Sequence, residues 1–226
     1  MKTEIFHAPG NAAARIALEA NETVTSEGGA MIAMSADLAV QTTTQQRTGG
    51  GGLLKAAKRL LSGESFFLNH YTAGAQGGEL WLAATLPGDM MKLALESETV
   101  IVQAGSFVAC SDGIAMDMSW QGFKSLLSGE RMFWLRCTGT GRLLLSSYGA
   151  IYPVEVNGEY IVDTGHIVAF GETLNFTLTK AGKSWVGSIL GGEGIVCKFQ
   201  GTGVVWCQSH NPPSFGRTIG PRLKPR

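Results

Sequence analysis

The sequence predicts an all-β protein: one domain of three tandem antiparallel β units, with one short helix in the first unit. Three observations predict it. One phrase is written three times, "LLSGESFF" at residues 60–67, "LLSGERMF" at 126–133 and "ILGGEGIV" at 189–196. Repetition at this period marks a chain built from stacked supersecondary units. Glycine supplies 31 of 226 residues, about twice the usual share, as many tight turns and bulges between strands require. Apolar residues recur at every second position in matching places of the three copies, which is the period of a half-buried strand.

The units align on Gly29, Gly105 and Gly165. After each glycine come a short apolar strand, a polar kink and an alternating strand. Leu38, Val40 and Thr42 match Ile114, Met116 and Met118, and these match Leu174, Phe176 and Leu178. Downstream of the marker phrase, "MFWLRCTGTGRLLLSS" and "IVCKFQGTGVVWCQS" each read as a hairpin turning at Gly-Thr-Gly, because glycine supplies a positive φ without a Cβ clash. The first copy, "SFFLNHYTAGAQGGELWLAA", reads the same way with a longer loop. Gly63, Gly129 and Gly192 are then structural markers at a bend into the hairpin. Glu64, Glu130 and Glu193 beside them cap backbone amides, or else form a carboxylate cluster if the internal symmetry gathers them. The expected boundaries are a domain over 1–211, in units of about 1–77, 78–150 and 151–211, and a flexible basic tail over 212–226.

The helix is expected at "LLKAAKRLL", residues 53–61, after four glycines. Its leucines follow helical spacing and its cations lie off that stripe, so it either rests on the β body or touches a membrane or partner. The other copies shorten this insert.

Composition narrows the function. Eighteen basic and eighteen acidic residues cancel, so no whole-protein field draws in nucleic acid or an anionic membrane. No run approaches the ~18 apolar residues of a membrane span, and the N-terminal "MKTEIFHAPGNAAARIALEA" lacks a signal-peptide core. A cytoplasmic protein without a transmembrane segment is expected. Cys110, Cys137, Cys197 and Cys207 sit in apolar runs without metal spacing. They read as buried reduced thiols, with a Cys197–Cys207 bridge across a hairpin as the alternative. His7, His70, His166 and His210 are scattered, and His70 in "FLNHYTA" reads as a satisfied strand histidine. Neither a nucleophile elbow nor a phosphate loop is present. Asp112, Asp117 and Asp163 are loop acids, commoner without a cation than with one. No catalytic, metal or cofactor residue is nominated.

"EGGAMIAMS", "GGGGLLKAAKRLLSGESFF", "PGDMMKLAL", "LLSGERMF", "VDTGHIVAF" and "LGGEGIVCKF" together resemble a bacterial family of unknown function. Its eukaryotic relatives include the mitochondrial biogenesis protein named for altered inheritance of mitochondria. The resemblance covers residues 3 to 211. It implies small double-layered antiparallel units like that of the tryptophan RNA-binding attenuation protein, three per chain. It also implies homotrimers that form a ring of nine units. It carries no catalytic or ligand residues. The mitochondrial relative is linked to inner-membrane organisation, which implies a protein partner or a membrane-associated complex. The expected function is non-enzymatic: an oligomeric assembly, scaffold or partner-binding protein. The alternative is a small-ligand or nucleic-acid binder using clefts between the repeats.

Overall fold

The computed structural model describes residues 1–44, 66–117, 134–180 and 195–223. Grouped by pairing, the first unit extends past residue 77 and contains β1 (Lys2–Phe6), β2 (Ala13–Leu18), β3 (Thr23–Glu27), β4 (Met31–Met34), β5 (Ala39–Thr44), β6 (Phe67–Thr72) and β7 (Gly78–Ala83). The second contains β8 (Met90–Gln103), β9 (Phe107–Ser111), β10 (Ile114–Asp117) and β11 (Trp134–Ser146). The third contains β12 (Ile151–Asp163), β13 (Ile167–Gly171), β14 (Asn175–Lys180) and β15 (Ile195–Gln208). The protein is all-β, with antiparallel pairing between its named strands, as the sequence predicts.

One pairing plan recurs. In the second unit β8 pairs β11 along its whole length, and β9 and β10 both lie on the other side of β11. In the third, β12 pairs β15, and β13 and β14 lie on β15. In the first, each long strand is cut in two. β2 pairs β7 and β3 pairs β6, while β4 lies on β7 and β5 on β6. The cut sends β1, β2, β7 and β4 into a four-stranded sheet and leaves β3, β6 and β5 in the larger one.

The Gly-Thr-Gly segments are not hairpin turns. β11 runs straight through Gly139-Thr140-Gly141, and β15 through Gly201-Thr202-Gly203. β11 carries a bulge there instead, while β15 keeps its register with β12. Gly139 has φ 132° and sits at a register shift against β8, opposite a bulge at Ser97, φ 67°. A left-handed residue inside a continuing ladder makes a bulge that kinks the strand without reversing it. In the first unit Asn21, which matches Ser97, also has positive φ, as does Gly77 just before β7, and there the strands break.

Adjacent units join by strand pairing. β9 adds to β3 through Val24↔Ser111, Thr25↔Cys110 and Ser26↔Ala109. β13 adds to β8 through Val100↔Gly171, Ile101↔Phe170 and Val102↔Ala169. The core follows these joints. Ile16, Leu80 and Leu82 of the first unit pack with Val108 and Leu144 of the second. Phe107, Leu135 and Leu145 of the second pack with Leu68 of the first and Val168 of the third. Ile101 and Trp134 join Phe170, Phe199 and Val205 of the third. A unit of this size buries too little alone, so sharing apolar surface stabilises all three.

Two further expectations concern a helix at 53–61 and the tail at 212–226. The helix at 53–61 lies outside the described residues. The tail, expected to be flexible, forms α1 (Pro212–Ile219) followed by a 3-10 turn, Gly220–Arg222. Asn211 Oδ1 accepts from Ser214 N at 3.1 Å, and prolines occupy the first helical positions. Both features start helices, since a first-turn proline lacks an N–H that would be unpaired anyway. The Phe215 ring meets Tyr148 edge-on at 5.6 Å, tying α1 to the body. Phe215→Ala is expected to cost about 1 kcal/mol. Urea unfolding checks this; an unchanged midpoint means the contact contributes nothing.

Candidate interaction surface

The sequence-nominated marker residues Gly63, Glu64, Gly129, Glu130, Gly192 and Glu193 all lie outside the described residues. In chain order they fall between β5 and β6, between β10 and β11, and between β14 and β15.

Three polar side chains singled out in the sequence, His70, His166 and Asp163, are held in structural contacts. His70 Nδ1 and Nε2 each lie 2.8 Å from a threonine hydroxyl, Thr25 on β3 and Thr43 on β5. It is the satisfied strand histidine that its sequence context predicts. His166 Nδ1 sits 2.8 Å from the Gln208 carbonyl oxygen. Asp163 accepts from Gly165 N at 2.7 Å, a local cap. Among the described residues no three His, Cys, Asp or Glu side chains come together as a metal site would need.

The four cysteines are free and buried. Burial pushes the Cys137 and Cys197 thiols up to about 12 and Cys207 up to about 11, and raises Cys110 as well. None is a thiolate nucleophile at neutral pH. A Cys197–Cys207 bridge is ruled out by geometry, because both lie on β15 and no hairpin returns one to the other.

Glu27, half-buried at the end of β3, is a carboxyl whose titration burial moves far: it is pushed up to about 7. The folded state then holds its proton more tightly than the unfolded state. The stabilisation is fully present below pH ~4.5 and is lost as pH rises toward about 7. Glu27→Gln should remove that loss and stabilise the protein at pH 8 relative to wild type by about 1–2 kcal/mol. Thermal unfolding at pH 4.5 and pH 8 checks it; an equal offset at both values means the carboxyl does not titrate in the fold.

Among the described residues, two sheet edges carry several exposed large apolar side chains each. β4 ends the four-stranded sheet and β12 ends the larger one. Met31, Ile32 and Met34 are exposed on β4, Ile32 by 55%; Tyr152, Tyr160 and Ile161 are exposed on β12, Ile161 by 58%. The matching segments at the internal joints are buried. All but the last residue of β9 and of β13 are shielded from solvent. Ile101, which matches Ile161, is 0% exposed. A signal was present in the sequence: "AMIAMS" is apolar on both strand faces, the pattern of a strand covered on both sides.

A family model described as mitochondrial biogenesis AIM24 matches residues 3–210. The chain belongs to the AIM24 family. An uncharacterized protein of Streptococcus pyogenes serotype M6 is 29% identical over 165 residues. That match spans 72% of this chain and 66% of the relative, just under two thirds of its length. The AIM24-family fold seen here is also similar to a Streptococcus pyogenes protein solved by X-ray crystallography. The TM-score is 0.80 at 27% identity, covering 98% of this chain and 99% of that one. AIM24 membership names no reaction. No helix among the described residues is long and apolar enough to cross a membrane.

Proposed function

We propose that this AIM24-family protein is a non-enzymatic assembly protein. Its three like units, with their neighbours in other chains, form a homotrimeric scaffold. The exposure of β4 carries this reading, because its counterparts β9 and β13 are buried by the unit before them. An apolar edge left bare is a template for pairing with another chain, and soluble proteins normally blunt such edges. The inert thiols and the locally bonded histidines favour a scaffold over a catalyst. A low charge share of 16% fits surface hidden by association. The number three comes from the family resemblance; edge pairing alone allows any closed ring. Light scattering coupled to size exclusion tests it. A single species near 72 kDa, three times the 23.9 kDa chain, is expected. A monodisperse species near 24 kDa at micromolar concentration overturns it.

A further inference from the structure

We infer that β4 of one chain pairs antiparallel with β12 of the next, in the register Ser35↔Tyr160, Met34↔Ile161 and Ala33↔Val162. This rests on the assembly reading above and names its contact. The two joints inside the chain supply the register. Counted from Gly29, Gly105 and Gly165, Ala109 and Ala169 correspond to Ala33. Cys110 and Phe170 likewise correspond to Met34, and Ser111 and Gly171 to Ser35. On the receiving strands, Val24 and Val100 correspond to Tyr160, Thr25 and Ile101 to Ile161, and Ser26 and Val102 to Val162. Both internal joints use the same three pairs in the same register. Applying that register a third time joins the bare edge of the first unit to the bare edge of the third. Within one chain these two edges do not pair.

The chemistry of the two edges matches. Met34 and Ile161 are apolar and exposed, as the central pair of a dry joint would be before docking. Their counterparts Ile101 and Phe170 are 0% and 1% exposed once joined. β4 carries neither a charge nor a proline, the usual devices that stop an edge from pairing. The internal joint also shows how far the pairing extends. Glu172 N donates to the Thr99 carbonyl oxygen at 3.1 Å, just beyond the three pairs. The corresponding bond between chains runs from Ala36 N to the Glu159 carbonyl oxygen. The contact is heterologous, since each chain offers β4 to one neighbour and β12 to the other, and repetition closes into a ring.

The test is a disulfide across the joint. Directly opposed residues of an antiparallel pair have Cα atoms roughly 4.5–5.5 Å apart, within disulfide reach. Met34→Cys with Ile161→Cys should form intermolecular disulfides under mild oxidation, read as reductant-sensitive oligomers on a denaturing gel. Met34→Cys with Tyr160→Cys is the control. One residue along a strand the side chain points to the other face, so its cross-linked fraction should be at least about ten-fold lower. Ile161→Lys, at a position exposed in the single chain, should shift the protein to the 24 kDa species with its circular dichroism unchanged. If the wild type is oligomeric yet the 34/161 pair links no better than the 34/160 pair, the register is overturned and the assembly reading stands. If the wild type is a monomer, both fall.

Discussion

Gly139→Val is expected to destabilise the protein by roughly 3 kcal/mol or more. Two effects add. The backbone there has φ 132°, a conformation that side chains with a Cβ rarely adopt. A Cβ at this position would also collide with the Gly113 carbonyl oxygen, in the turn between β9 and β10. That turn and the β11 bulge are two halves of one close approach, and neither can retreat without breaking the ladder between Ile114 and Gly139. Gly158→Ala separates the effects. Gly158 has φ 101° but open space around its Cβ position, so it should lose only the strain, about 1 kcal/mol. Urea unfolding followed by far-ultraviolet circular dichroism decides the matter. Equal losses at 139 and 158 would mean that the collision is relieved at no cost.

Phe170→Ala should be worse still for the core, at about 3–5 kcal/mol. The ring is 1% exposed. Its centroid lies 5.0 Å from Phe199, 5.5 Å from Phe176 and 5.9 Å from Trp134, all near edge-on. Three such partners come from three strands, two in its own unit and one in the second. Its backbone pairs with Ile101 across the joint between units. Truncation therefore opens a cavity where two units meet, and no single strand can collapse to fill it. For a chain of this length the melting temperature should fall by roughly 10 °C. Phe170→Leu should recover about half of the loss by refilling volume. Melts must be compared at one protein concentration, because association adds its own stabilisation. A melting temperature unchanged by the alanine variant would show that the aromatic cluster is not part of the cooperative core.

Much of the architecture was legible in the residues. Alternation marked Leu38, Ile114 and Leu174 as matching inward positions, and all three are buried, whereas Val40, marked for the same face as Leu38, is exposed. The pairing of β8 with β11 follows the same plan as that of β12 with β15, and the first part of the chain follows it with its strands cut in two. Isolated thiols and a strand histidine were readable from their apolar neighbours. None of these needs more than local sequence, because strand period and side-chain burial are set residue by residue.

Other features depended on contacts far along the chain. A glycine with positive φ suits a hairpin turn and a bulge equally, so Gly-Thr-Gly could not tell them apart. Pairing of β11 with β8 on one side and with β9 and β10 on the other makes it a bend. Two prolines end a strand or begin a helix with equal ease. Asn211 as the cap, and Tyr148 waiting for Phe215, select the helix. "AMIAMS", "FVACS" and "IVAFG" read alike as covered strands, yet only the last two find a preceding unit to cover them. Which edge stays bare is a property of position in the stack. Sequence dictated what each strand could bury, and tertiary structure alone decided against what, because pairing is a non-local interaction that identical local patterns cannot distinguish.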